Sequence, residues 1–219
     1  MDTQGTRRAW QVLLIGGASG VGKTSVSYRL AHHYAVGITE VDDFQVVLER
    51  MTTPEQQPIL HYWRTHPDEA RRMDEEQQLA FMQSYSRVMA TALDLVIANH
   101  IESRAPIVLE GDFILPSLAV QPAYGGIAAE GQVRAVFLYE DDEQQLRRNY
   151  LVREGREQPG RARASWRHSE WLRQEAERLD VLAIPARPWD TVLARVIAAL
   201  EPGCNLSAEG NLVPDGAKE

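Results

Sequence analysis

Eight residues, Gly17-Ala18-Ser19-Gly20-Val21-Gly22-Lys23-Thr24, satisfy the pattern G-x-x-x-x-G-K-[ST] at every constrained position. No other segment limits the fold as strongly, because this loop works only between a strand and a helix. Its glycines let the chain curl until backbone N–H groups point inward, a nest for phosphate oxygens at a helix N-terminus. The flanks have the required character. Val12-Leu13-Leu14-Ile15 is a short apolar run, and Val26, Leu30 and Tyr34 recur at helical spacing beyond the loop. In such a loop Lys23 reaches the β- and γ-phosphates and the Thr24 hydroxyl ligates Mg²⁺, while the chain from Gly17 to Ser25 wraps the phosphates. The expected ligands are ATP and Mg²⁺.

The 219 residues suffice for one α/β domain with a small inserted lid. A net charge of −8 disfavours a nucleic-acid partner. Cys204 is the sole cysteine, which excludes an intramolecular disulfide and a multi-cysteine metal site. No apolar stretch approaches the roughly 18 residues that a membrane span needs. Residues 1–10 also lack the apolar core of a signal peptide. A cytoplasmic protein with no membrane partner is expected; the sequence carries no signal of oligomeric state.

Apolar runs and helical periodicities alternate after the loop. Residues 36–41 read as a second strand ending at Asp42-Asp43, and residues 44–51 as a helix with Phe44, Val47 and Leu48 on one face. Pro54, Pro58 and Pro67 mark residues 52–67 as irregular, with a short helix at most. One long helix is expected over about 68–100, with Leu79, Met82, Met89, Leu93, Val96 and Ile97 on its apolar stripe. Ile107-Val108-Leu109, residues 133–139 and residues 181–184 are three further buried strands, with helices at about 142–153, 162–179 and 191–200. The domain is thus read as residues 1–201, with an acceptor-binding insert at about 52–100 and a lid at about 152–163. Residues 202–219 are expected to form a loose tail.

Such alternation implies a parallel sheet between two helical layers, with ligands beyond the carboxyl ends of the strands. Three groups fall there. Asp42 and Asp43 follow the second strand, where a carboxylate can take a proton from an attacking hydroxyl or hold a Mg²⁺-bound water. Either could serve, and helix capping is the competing role. Glu110 ends the third strand and is the candidate second Mg²⁺ anchor, while Asp112 fits a ligand contact and a turn equally well. Arg147, Arg148, Arg153, Arg156, Arg161, Arg163 and Arg167 crowd a segment broken by Gly155, Pro159 and Gly160. That composition suits a lid that neutralises a transferring phosphoryl group; Arg148 and Arg153 are the leading candidates. Paired surface arginines are the plainer alternative.

Other residues read less sharply. Arg187 follows the fifth strand, where it can stack on the nucleotide base or simply precede a helix. His61, Tyr62, Trp63 and His66 lie in the proline-punctuated insert, and packing is their favoured role over stacking on an acceptor ring. His168 and Trp171 read as structural.

Together these residues resemble the adenylate-kinase-like group of P-loop small-molecule kinases, over about residues 12–200. The loop is similar to the opening of 2-phosphoglycerate kinases, and Val41-Asp42-Asp43-Phe44 to the strand end of uridine and nicotinamide riboside kinases. Leu109-Glu110-Gly111 resembles the same kinases, and the layout resembles chloramphenicol phosphotransferase, where an Asp at the Asp42 position acts as base. The resemblance implies a P-loop NTPase three-layer α/β sandwich with a five-stranded parallel sheet in the order 2-3-1-4-5 and a helical lid. It also implies phosphoryl transfer from ATP to the hydroxyl of a small-molecule acceptor. A nucleotide-dependent ATPase or switch module acting on a protein partner is the alternative. The absence of an Asn-Lys-x-Asp sequence weakens its GTP-type version.

Overall fold

The computed structural model describes residues 8–201 and the backbone of 204–206 and 212–214. Its centre is β1 (Val12–Gly16), whose five residues are all buried. A strand buried on both faces cannot alternate apolar with polar, and VLLIG does not. Val12 and Leu14 join one core, with Leu93, Ile97 and Leu172, while Leu13 and Ile15 join the other, with Leu30, Val192 and Val196. Successive side chains thus face opposite sides of the sheet, and each side has its own apolar layer.

The chain runs from β1 through α1 (Lys23–Tyr34), β2 (Gly37–Glu40) and α2 (Val41–Met51), then through α3 (Pro58–Thr65), α4 (Pro67–Arg72) and α5 (Glu75–Glu102) to β3 (Ile107–Gly111). It continues as α6 (Pro116–Ala119), a hairpin of β4 (Ala123–Tyr124) and β5 (Ile127–Ala128), and β6 (Val133–Tyr139). After these come α7 (Glu143–Glu154), α8 (Pro159–Arg178), β7 (Leu182–Pro185) and α9 (Val192–Leu200). The sheet is parallel with the order β2-β3-β1-β6-β7. The hairpin lies outside it, so β6 and β7 are its fourth and fifth strands and the expected order 2-3-1-4-5 holds. Register fixes what meets at the carboxyl edge. Ile15 lies beside Glu110, Gly16 beside Gly111, and Glu40 beside Glu110.

Several boundaries differ from expectation, for physical reasons. Pro58 and Pro67 punctuate a stretch expected to be irregular, yet each occupies the first helical position, where the missing N–H costs nothing. The long helix over 68–100 is split, because Asp74 caps α5 in a reciprocal capping box with Gln77. Helix α2 starts at Val41, so Asp42 and Asp43 occupy its first turn rather than the strand end, and Glu40 takes the cap position. Between α7 and α8 only residues 155–158 are non-helical, with Gly155 ending α7 in the left-handed conformation. The tail lies outside the described residues except for two short antiparallel strands, β8 (Cys204–Leu206) and β9 (Leu212–Pro214), where no regular element was expected.

The central strand should dominate stability. Leu14 is fully buried, so Leu14→Ala should cost about 2–5 kcal/mol in urea unfolding. Leu182→Ala on the edge strand, 40% exposed, should cost less than about 1 kcal/mol.

Candidate functional site

The loop after β1 owes its curl to backbone that only glycine adopts cheaply. Gly17 has φ +142° and Gly22 has φ +98°. A Cβ at Gly17 would strike the Leu138 carbonyl oxygen, and one at Gly22 the Trp189 ring. The loop is thereby pressed between β6 and the segment after β7. Asn149 of α7 donates to the Gly20 carbonyl at 2.9 Å, and Leu146 and Tyr150 pack beside Gly20.

Lys23 is buried at the head of α1. Its Nζ donates to the Ala18 carbonyl at 3.1 Å and to Asp112 Oδ1, and lies 3.9 Å from Glu110 Oε1. Burial works against its charge, but Asp112 and Glu110 outweigh that and raise its pKa. Asp42 is raised by burial and then by the Asp112 charge, with Lys23 opposing. Glu110 is raised chiefly by burial, Lys23 again opposing, and its Oε2 has no hydrogen-bond partner. Three carboxylates thus converge on a single ammonium.

These groups enclose a cleft of about 230 Å³. Ser19, Gly20, Gly22, Lys23, Thr24 and Ser25 line it from the loop, Glu40 and Asp42 from β2 and α2, Glu110 and Asp112 from β3, and Asn149 and Arg153 from α7. Most of the sequence-predicted site residues therefore meet. Asp43, one position further along α2, is not on the wall. Gly17, Ala18 and Val21 support the loop from beneath, and all three are buried.

The arginines divide by helical register. Arg153 shares a face of α7 with Asn149 and reaches the cleft, while Arg148 points elsewhere and pairs with Asp142 at 2.9 Å. Arg163 and Arg167 bind Glu75, each at 3.1 Å, tying α8 to the start of α5. Arg187 stands 3.3 Å from the buried Glu140 and 5.7 Å from the Trp189 ring centroid, at the rim rather than on the cleft wall. Sequence reasoning missed Glu140 and Glu40, although both end sheet strands, the very signal that pointed to Glu110.

A second, larger cavity of about 490 Å³ adjoins the first, and Ser19 and Asp112 line both. Its remaining wall comes from α3 to α5 through Trp63, Ala70, Gln78 and Met82, and from α8 through Gly160, Arg161, Ala164, Ser165 and His168. His168 read as structural in the sequence, yet its ring borders this space, and its Nε2 has no partner. Burial pushes its pKa down to about 4, with Asp112 opposing and Lys23 assisting.

Among the described residues no cluster of three or more His, Cys, Asp or Glu could hold a metal. Mg²⁺ does not need one, since it keeps several waters and binds through one or two protein oxygens and substrate phosphates. Thr24 on the cleft wall and the unpartnered Glu110 Oε2 fit that role. No helix among the described residues is long and apolar enough to cross a membrane.

No protein-family profile matches the chain, and no curated protein sequence matches it. Solved structures do. A sugar kinase from Janibacter sp. superposes with TM-score 0.53 at 14% identity, covering 88% of this chain and 96% of that one. A gluconokinase from Sinorhizobium meliloti gives 0.47 at 19% identity, covering 89% and 93%. A shikimate kinase from Acinetobacter baumannii, solved with shikimate, gives 0.49 at 14%, covering 89% and 97%. The sugar kinase likeness and the phosphate-binding loop define the class: the chain has the adenylate-kinase-like fold of P-loop small-molecule kinases. That likeness does not select among the narrower families that the strand-end motifs resemble.

Burial of His168 as a neutral ring makes a pH prediction. The unfolded chain binds its proton near pH 6.5 and the folded chain only near 4, so its contribution to stability is complete above 6.5 and is lost as pH falls through that window. His168→Gln should flatten the fall in urea-unfolding stability between these pH values. An unchanged slope would place the acid sensitivity elsewhere.

Proposed function

We propose that this protein transfers the γ-phosphoryl group of ATP, with Mg²⁺, to a hydroxyl of a small-molecule acceptor. The observation that supports it most is the junction of the two cavities at Ser19 and Asp112. A phosphate cleft opening directly onto a roomy second chamber is the geometry that in-line transfer needs. An ATPase or switch module would have no use for such a chamber.

In this reading the loop from Gly17 to Ser25 cradles the triphosphate and Lys23 contacts the β- and γ-phosphates, loosening its hold on Asp112. Thr24 and, through water, Glu110 and Asp42 would hold Mg²⁺, which neutralises charge on the phosphates. Asp42 accepts the proton of the attacking hydroxyl. Asp43, off the cleft wall, is the lesser candidate. Arg153 stabilises charge on the transferring group, and Arg187 borders the region where the base would lie; Arg148 has no part in this arrangement. Residues 52–100 and the start of α8 enclose the acceptor and keep water from competing for the phosphoryl group. A cytoplasmic location fits this chemistry.

Lys23→Ala and Thr24→Ala should each lower transfer from γ-labelled ATP by at least about 100-fold. Asp42→Asn should leave ATP affinity within a few-fold while turnover falls by about 10²–10⁴. Retained transfer in both loop variants would overturn the proposal. Unchanged turnover in Asp42→Asn would move the base role to Asp112 or Asp43.

A further inference from the structure

The larger cavity is polarised along helix α8. Arg161, Ala164, Ser165 and His168 all border it, so one face of the helix, stepping by three and four residues, forms that wall. His168 stands at one end, in the field of Asp112 and Lys23. Arg161 stands at the other, in the first turn of α8 and two turns from His168, about 10 Å of helical rise.

The acidic end is already compensated, because Asp112 is bonded to Lys23. The basic end is not. Arg161 gives one N–H, from Nη1, to Glu154 Oε1 at 2.7 Å, and Arg153 donates to the same oxygen at 2.8 Å. One carboxylate thus answers two guanidiniums. The Arg161 guanidinium also lies over the Tyr150 ring, 4.8 Å from its centroid. That contact engages the face of the group and leaves its remaining N–H edges for a ligand.

The start of α8 adds positive potential at the same place. Its cap residue, Gln158, makes no side-chain cap and turns its amide to Glu154 instead, and the first turn holds no acidic residue. The N–H groups of Gly160 and Arg161 have no acceptor among the described residues, and both residues lie on the cavity wall. Open space stands where a Cβ of Gly160 would be, so an anion can approach the backbone closely. A separate observation points to a ligand. His168 Nε2 is buried without a partner on this wall, and buried polar atoms are nearly always bonded.

We propose that the acceptor is a hydroxylated acid. Its carboxylate or phosphate is held by Arg161 and the N-terminus of α8, and its hydroxyl lies at the other end, beside His168 and Asp112, facing the phosphate cleft. The word acceptor rests on the phosphotransfer reading, whereas the anion site rests on the cavity alone. Arg161 is then a specificity residue, separate in role from Arg153, which lines the phosphate cleft and not this cavity.

Matched probes test it on the full chain saturated with Mg²⁺ and a non-hydrolysable ATP analogue, which fills the phosphate loop. One pair is para-hydroxymethylbenzoate with its methyl ester, and the other para-hydroxymethylphenyl phosphate with para-hydroxymethylanisole. Saturation-transfer NMR should show at least one acid binding about tenfold more tightly than its neutral partner, and the pair that does so tells carboxylate from phosphate. Arg161→Gln should erase that preference while nucleotide affinity stays within about twofold. Glu154→Gln, which removes the carboxylate competing for Arg161, should tighten the acids, a change that a merely structural arginine would not give. Neutral members binding as tightly as the acids in both pairs, no binding of either acid, or a preference unchanged in Arg161→Gln would overturn the proposal. Loss of nucleotide affinity in Arg161→Gln would also overturn it, by assigning this arginine to the triphosphate. If the acids bind through Arg161 but γ-labelled ATP phosphorylates neither, the phosphotransfer reading fails while the anion site stands.

Discussion

One buried ammonium organises this protein. Lys23 is almost wholly removed from solvent, and a lone charge in that position would be strongly destabilising. It is held by Asp112, Glu110 and the Ala18 carbonyl, all delivered by the pairing of β1 with β3. Because Gly16 lies beside Gly111, the phosphate-binding loop and Asp112 leave the sheet side by side. A slip of one residue in that register would part the charges and turn the core residues of the strand to the wrong face. Both cores, the cleft and the junction with the second cavity therefore depend on the same alignment.

The carboxylates have a double character. They compensate Lys23, yet burial and mutual repulsion hold Asp42 and Glu110 above the ordinary carboxylate range. Groups in such a state gain from the arrival of further positive charge. Mg²⁺ supplies it in the proposed reaction, and Arg153 adds to it from α7. The acidic cluster and the phosphate nest are thus two halves of one electrostatic arrangement, each incomplete alone. The second cavity is different in kind, its wall combining Trp63, Met82 and Ala164 with Arg161 and His168.

Much of this was legible in the chain because the signals were local. The loop matched a pattern whose geometry is fixed by its glycines, and apolar runs marked β1, β3, β7 and most of β6. Asp42 and Glu110 followed from the rule that ligands gather at strand ends. What escaped depended on helical phase and on distant partners. Arg148 and Arg153 look alike in sequence, but five residues of helix rotate them onto different faces. Asp112 read equally well as a turn because its partner, Lys23, lies 89 positions away in the chain. His168 looked like core, and it is buried, but only the fold shows that the space beside it is a cavity. The expected long helix hid a break, because the capping role of Asp74 shows only in its pairing with Gln77.

The central claim is that the two cavities form one transfer site. A crystal structure with Mg²⁺ and a non-hydrolysable ATP analogue tests it most directly. The account predicts the γ-phosphate between Thr24, Asp42 and Asp112, facing the cavity bordered by Trp63 and His168. A triphosphate bound with its γ-phosphate turned away from that cavity, or bound away from the loop, would contradict it.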